Sequence, residues 1–495
     1  MANVPLRTLA ALLVPWICAA AGANEFEALI DRARGVPGEF AADVMIRIAA
    51  LDKLEKGRRI QLLEEAFLRA SEAPEAYKRH PAVLRMDLPG GFQNRAYNQD
   101  LDAMSLRVRA VAAMLPLDSR KARDLFTQIP PPNLAPLRCE DLLVYDVSRL
   151  YATAANVARQ AFSAKEAQQG EPFRLLSQYA GAVTSPAEVE PAARMIAQAG
   201  LKEEEFLSLV TAFSGALGRI AGDDRSFTAS LGAAGHQIQA LVEECQRRQV
   251  SPLALVERYR LYLVNHLSAA RCESESAMQN PGMAAFNLKT AQPVDTETPD
   301  AVAFFNDRIR VAPLATIQDT EAAPSKVEGT IADLHPCEDA ACRAIQQQLQ
   351  DLQNGPNGLF TQSANRSTPE WQEKLREFLT AVANWKANTD GLAAQHFRDK
   401  SGLFSLVFNL APPGRAREMV LDALLEYLRQ SRLQVENRAQ WFLPAHTLIA
   451  LTGLDPLGSS RMAEKLRAVN DPIISLYAAL EALAPHTIET AGPIL

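Results

Sequence analysis

Hydrophobic residues recur every three or four positions along most of this chain, which is the spacing of a buried helix face. Phe40, Val44 and Ile48 fall on one stripe of a helix. Asp43 and Arg47 fall on the opposite side, as expected for an amphipathic helix at a protein surface. The same spacing predicts further helices at 60–70, 101–115, 122–129, 142–162, 192–199, 206–220, 253–272, 340–352, 371–385, 392–410, 416–430, 439–451, 459–469 and 473–483.

Helix boundaries support this interpretation, and strand patterns are nearly absent. Ser251 is a preferred N-cap and Pro252 suits the first helical position, so the best-signalled helix starts there. Its buried stripe is predicted to contain Leu253, Val256, Tyr259, Leu263 and Leu267. Only 302–305 and 309–311 resemble strands. Because short loops join the helices into hairpins, we predict an all-α fold arranged as an α-solenoid-like array.

The composition of the chain changes in its middle. Between residues 281 and 336, Pro, Thr, Asp and Ala become frequent, and we predict an irregular linker there. The linker would separate an N-terminal helical domain at 24–280 from a C-terminal helical domain at 337–495. Trp371, Trp385 and Trp441 all lie in the second part, which indicates two differently built cores.

Residues 1–23 have the three zones of a secretion signal. Arg7 precedes an apolar stretch at 8–21, and the small residues Ala-Gly-Ala at 21–23 predict cleavage after Ala23. The stretch is too short for a permanent membrane anchor, and no later segment is apolar enough to be an integral membrane span. Bulky residues precede Cys18, which argues against lipidation there. We therefore expect a soluble, exported protein, located in the periplasm or outside the cell.

The charge of the chain argues against nucleic acid as a partner. The formal net charge is −7, and loss of residues 1–23 removes one arginine and no acid, giving −7 − 1 = −8. A mildly acidic protein has no general attraction to nucleic acid or anionic lipid. Only 12 of the 51 basic residues are lysine, a bias typical of a GC-rich genome and hence of a bacterial envelope protein.

Five cysteines remain after residue 23, and their arrangement leaves several alternatives open. They are Cys139, Cys245, Cys272, Cys337 and Cys342. His335, Cys337 and Cys342 could begin a zinc site, but no second ligand pair follows at the usual spacing. An oxidising compartment favours disulfides, either between Cys337 and Cys342 or from one of them to Cys272. We expect no Cys245–Cys272 bond, because the predicted hairpin separates these residues by roughly 20 Å along the helix axes.

No other segment carries a recognisable catalytic or cofactor motif. The remaining histidines are scattered, at His80, His236, His266, His396, His446 and His486. The acidic runs 203–205 and 223–224 are interpreted as a helix start and a turn. We therefore predict no catalytic, cofactor-binding or metal-binding residues, and no cofactor.

The hairpin architecture and the lack of a catalytic motif favour a non-enzymatic protein- or peptide-binding scaffold. Its partner would be another envelope or secreted protein. One alternative is an exported all-α hydrolase whose acid and base are distant in the sequence. Another is a disulfide-stapled structural component of the envelope. The sequence does not define the oligomeric state.

Overall fold

A computed structural model of the chain describes residues 25–81, 100–138, 141, 143–269, 285–286, 293–294, 340–386, 393–431, 464–466 and 470–483. These residues are mostly helical, which confirms the predicted all-α class. The helices are α1 (25–34), α2 (Gly38–Ala50), α3 (Lys56–Arg69), α4 (Ala103–Met114), α5 (Ser119–Phe126), α6 (Ser148–Gln160), α7 (Ala164–Gln168), α8 (Glu171–Ala180), α9 (Val189–Gln198), α10 (Glu203–Leu217), α11 (Ser226–Arg247), α12 (Leu253–Ser268), α13 (Ala340–Asn354), α14 (Pro369–Asn384), α15 (Ala393–Leu410), α16 (Arg415–Ser431) and α17 (Pro472–Leu483). None of these described helices combines the length and hydrophobicity that crossing a lipid bilayer requires.

Two short antiparallel ladders accompany the helices. Strand β1 (Arg79–Pro81) pairs with β2 (Leu143–Tyr145), and β3 (Ala285–Phe286) pairs with β4 (Pro293–Val294). The predicted strands at 302–305 and 309–311 lie outside the described residues. The predicted signal peptide, most of the predicted linker, the predicted helix at 439–451 and most of the predicted helix at 459–469 lie there too.

Helices α3 to α12 and both ladders belong to one compact unit. From α4 onward, α4 packs on α6, α6 on α8, α8 on α10, and α10 on α12. A second series places α9 against both α6 and α11. The first series and the α9–α11 contact therefore join helices that are next but one in the chain, as amphipathic hairpins do when they cover one another's apolar faces.

The predicted helix at 142–162 is wrong at its start. Residues 143–145 form strand β2, and the three side chains are buried. Tyr145 packs edge-on against Tyr77, with 6.0 Å between the ring centroids. The Asp146 carboxylate then accepts a hydrogen bond from the backbone N–H of Ser148, where α6 begins. A three-residue apolar run fits a helix or a strand equally well, so periodicity alone could not separate them.

Helices α1, α2 and α13 to α17 belong to a second compact unit. The Tyr477 hydroxyl on α17 donates to Asp43 Oδ2 on α2 over 2.7 Å, and its ring lies edge-on to Phe40. Arg47 on α2 forms an ion pair with Glu481 on α17. These contacts join helices that the sequence assigns to different predicted domains.

Buried polar contacts connect the middle helices of this unit. Trp371 is fully buried, and its indole N–H donates to the carbonyl of Leu352 over 3.0 Å, which ties α14 to α13. Lys400 on α15 donates to the carbonyls of Ala383 and Trp385 over 3.0 and 2.8 Å, at the end of α14. Burial lowers the pKa of Lys400 to about 8.

Candidate functional site

Exposed hydrophobic side chains concentrate on one pair of packed helices. The described residues include five strongly exposed large hydrophobics, which are Leu68, Leu207, Leu253, Leu261 and Leu359. Three of them lie on α10 and α12, and each of these three leucines is 44–45% exposed. Single exposed leucines are ordinary, but three on two helices in contact mark a candidate binding surface. We call Leu207, Leu253 and Leu261, with their exposed neighbours on these helices, the α10–α12 face.

After its acidic first turn, helix α10 contributes an uncharged surface to the α10–α12 face. No charged residue occurs between Glu205 and Arg219. The hydroxyls of Ser208 and Thr211 donate to the carbonyls of Glu204 and Leu207, each over 2.8 Å. Because these hydroxyl donors are bonded within the helix, contact with an apolar partner would not leave them unpaired.

Helix α12 contributes a hydrophobic stripe with an acidic residue in its centre. Leu253, Glu257 and Leu261 are exposed and spaced four residues apart, so they share one side of the helix. Arg258 lies beside them and is also exposed. Such a surface suits a partner with two apolar contacts and a polar or basic group between them.

The α10–α12 face rests on a tightly packed interior. Phe206, Leu209 and Phe213 fill the inner side of α10 and are fully buried. Arg248 lies over the Phe206 ring, 4.4 Å from its centroid, and donates to the Leu201 carbonyl over 2.8 Å. The start of α10 is thereby held to the end of α11, which keeps the exposed side chains on a fixed backbone.

A buried polar network crosses the same unit. Glu188 is fully buried, and its Oε1 accepts a hydrogen bond from the Tyr151 hydroxyl over 2.7 Å. Its Oε2 accepts from the backbone N–H groups of Thr184 and Ser185 over 2.9 and 3.0 Å. The Ser185 hydroxyl donates in turn to Asp224 Oδ2 over 3.2 Å. Burial raises the pKa of Glu188, and the network ties α6 to the starts of α9 and α11.

A group of charged side chains surrounds the start of α4. Asp100 has a left-handed backbone, with φ of 54°. Its two carboxylate oxygens form ion pairs with Lys78 at 2.9 Å and Arg149 at 2.7 Å. Asp102 caps α4 by accepting a hydrogen bond from the Ser105 N–H over 2.8 Å. Burial, with a smaller contribution from the charge of Asp100, raises the pKa of Asp102 to about 6.

The two acidic runs of the sequence lie at a helix start and in a turn. Helix α10 begins at Glu203, so the run at 203–205 forms its first turn, as predicted. Asp223 lies in a turn before α11, also as predicted, and the adjacent Asp224 accepts a hydrogen bond from the Ser226 N–H over 2.8 Å.

The histidine and cysteine candidates do not assemble into a metal site in the described part of the chain. No group of three or more His, Cys, Asp or Glu side chains is arranged there to hold a metal ion. His266 is fully buried, its Nδ1 lies 2.8 Å from the Tyr262 carbonyl, and burial lowers its pKa.

Cys245 is a free, buried thiol, which agrees with the expected absence of a Cys245–Cys272 bond. Cys342 is disulfide-bonded. The other candidates, Cys139, Cys272, His335 and Cys337, lie outside the described residues.

The sequence pattern did not predict the α10–α12 face. Leu253 was placed on the buried stripe of its helix, but the structure exposes 44% of it. Leu207 and Leu261 were not singled out. The signal that could have identified them is a leucine on the polar side of an otherwise amphipathic helix.

Comparison of the chain with protein-family models, with curated proteins and with solved structures found no match.

Proposed function

We propose that this chain is an exported, non-catalytic helical scaffold that binds a protein or peptide partner on the α10–α12 face. The observation that carries this proposal is the exposure of Leu207, Leu253 and Leu261 on two helices in contact. Removing such side chains from water favours association by about 25 cal/mol for each Å² of apolar surface buried. Their fixed backbone would also reduce the ordering cost of binding.

The packing of the helices supports the array part of the proposal. Helices α4, α6, α8, α10 and α12 pack successively, and each contact joins next-but-one elements. An α-solenoid-like array has this connectivity, and its extended surfaces bind proteins and peptides in many unrelated repeat proteins. The α10–α12 face would then be one part of a longer binding surface.

Export is proposed from the N-terminal sequence. Cleavage after Ala23 would leave a mature chain that starts at Asn24. N-terminal sequencing of the protein from the envelope fraction of its source tests this step, and a chain recovered intact from the cytoplasm would contradict it. An oxidising location also suits the disulfide of Cys342. The proposed partner of that cysteine is Cys337 or Cys272, which peptide mapping under non-reducing conditions distinguishes.

Capture of a partner from the native envelope tests the binding proposal. The tagged mature chain would be compared with a variant in which Leu207, Leu253 and Leu261 are all replaced by glutamine. The matched control is Leu68→Gln, because Leu68 is 66% exposed and lies on α3. We expect one protein at near-equal amount with the native chain and the control, and its loss with the triple variant.

Two results would contradict the binding proposal. One is a partner that the triple variant retains, because the α10–α12 face would then not be the contact. The other is the absence of any partner from the native chain, also at low salt, where electrostatic contacts are least screened. Circular dichroism of each variant would establish that the substitutions leave the helices intact.

A second candidate function is hydrolysis, which the charged cluster at the start of α4 favours. Lys78 and Arg149 form ion pairs with Asp100, while burial raises the pKa of Asp102 to about 6. Enzymes that use two carboxyl groups as acid and base place them in different environments, so that one of them has a raised pKa. Turnover of model glycosides or esters by the native chain, abolished in Asp102→Asn, would support this candidate. Equal activity of the two proteins, or none in either, would eliminate it.

A further inference from the structure

The first three backbone N–H groups of α4 already have acceptors. The N–H of Ala103 donates to the carbonyl of Glu75 over 2.8 Å, and that of Met104 donates to the carbonyl of Ala76 over 3.1 Å. The N–H of Ser105 donates to Asp102 Oδ1 over 2.8 Å. The first three orphan donors of the helix are therefore satisfied.

The second carboxylate oxygen of Asp102 is left without a donor. Asp102 is only 3% exposed, and its Oδ2 has no hydrogen-bond partner among the described residues. Lys78 and Arg149 form ion pairs with the neighbouring Asp100. A buried carboxylate without a second partner is costly when ionised, whereas the protonated acid carries no charge to desolvate.

Other charged side chains among the described residues surround the start of α4. Asp100 is the group whose charge acts on Asp102. Arg109, on α4 itself, donates to the Asp100 carbonyl over 3.3 Å. His80 on β1 acts on Asp146, which also lies 3.6 Å from the Lys78 ammonium. The elements around the start of α4 further carry Glu72, Glu75, Arg79 and Arg107.

We propose that Asp102 is a proton-operated switch at the start of α4. When it is protonated, the arrangement described above is stable. When it loses the proton, the buried carboxylate keeps one oxygen that has no donor, which costs free energy. Ionisation therefore loosens the start of α4.

The direction of the pH effect follows from the raised pKa of Asp102 in the folded chain. The pKa of Asp102 is raised to about 6 in the folded chain, against about 3.9 for an unperturbed aspartate. The proton on Asp102 stabilises the folded chain fully below about pH 4, and this stabilisation is lost as the pH rises through about 6. The full change approaches about a hundredfold in the equilibrium constant for local or global unfolding.

Hydrogen exchange of the full mature chain tests this proposal without requiring two-state unfolding. Exchange of peptides from 103–110 would be compared between the native chain and Asp102→Asn, at about pH 5 and about pH 7.5. Asparagine keeps the capping oxygen but cannot ionise. Comparing the two proteins at each pH cancels the intrinsic pH dependence of exchange.

The matched control is Asp118→Asn on α5. Asp118 caps α5 in the same way, accepting from the Lys121 N–H over 3.0 Å, but it is only partly buried. We expect the native chain and the control to exchange roughly tenfold or more faster at the higher pH, relative to Asp102→Asn. Asp100→Asn should move the onset of this difference to lower pH, because it removes the neighbouring negative charge.

Two outcomes would overturn the proposal. Identical pH dependence in the native chain and in Asp102→Asn would show that Asp102 does not control this corner. If Asp118→Asn lost the pH dependence of exchange at 103–110 as fully as Asp102→Asn, the effect would belong to any aspartate cap rather than to this buried one.

Discussion

Replacing Tyr151 by phenylalanine removes one hydroxyl from the buried polar network and leaves the ring in place. The Tyr151 hydroxyl donates to Glu188 Oε1 over 2.7 Å, and both residues are at most 1% exposed. The other oxygen of Glu188 keeps its backbone donors from Thr184 and Ser185. The substitution therefore affects a single buried contact to a carboxylate.

The chain provides a matched comparison next to this site. Tyr179 is also buried, its ring centroid lies 6.3 Å from that of Tyr151, and its hydroxyl donates to the Ile129 carbonyl over 2.7 Å. A hydrogen bond to a neutral carbonyl contributes about 1 kcal/mol, and one to a charged group contributes about 1.5–3 kcal/mol. Tyr151→Phe should accordingly cost about 2 kcal/mol at pH 7, and Tyr179→Phe about 1 kcal/mol.

The measurement is urea unfolding of the two variants at neutral and acidic pH. Burial raises the pKa of Glu188, so its carboxyl group becomes neutral in the folded chain before it does in the unfolded chain. The stability contributed by that proton is present at low pH and is lost as the pH rises. The excess cost of Tyr151→Phe over Tyr179→Phe should therefore narrow toward pH 4.5, because the acceptor loses its charge.

An equal or larger cost for Tyr179→Phe at neutral pH would refute this reasoning. So would a difference between the two variants that does not change with pH. Either result would mean that the Glu188 carboxylate does not depend on Tyr151.

The remaining predictions concern one thiol and two glycines. Cys245 should resist alkylation in the folded chain at about pH 8 and react after unfolding, because it is buried and its pKa is raised to about 11; modification of the folded chain, detected by mass spectrometry, would contradict this. Gly355→Ala should lower the free energy of unfolding by about 2 kcal/mol, since φ is +63° and a Cβ would overlap the Phe360 ring. Gly57→Ala should instead raise it by about 0.5–1 kcal/mol, because nothing lies within 4 Å of the added carbon; thermal unfolding of both variants checks the opposite signs.

Helices with a regular apolar stripe were predictable from the sequence. The helices that begin at Ala340 and Pro369, for example, lie within a few residues of the predicted ranges. Helices α1, α7 and α8 were not predicted, and α11 was predicted only at its end, by the hairpin that contains Cys245. Gly232 and Gly235 weaken the helical signal of α11, and its packing against α9 compensates. The start of α12 was placed one residue early, and no side chain caps it.

The polar sites could not be predicted, because they join residues from separate segments. Asp43 and Tyr477 are separated by 434 positions in the chain, and nothing local specifies their contact. Glu188 looks like an ordinary capping residue in the sequence. Its burial depends on the packing of α6, α9 and α11. Periodicity shows which side of a helix is apolar, but it does not show which helix covers that side.

The scaffold proposal is tested most directly by photocrosslinking from the α10–α12 face in the native envelope. A photoreactive residue would replace Leu261 in one protein and Leu68, on α3, in another. We predict a crosslinked product of one defined mass from position 261 and none from position 68. Products from both positions in equal amount, or from neither, would contradict a specific partner on the α10–α12 face.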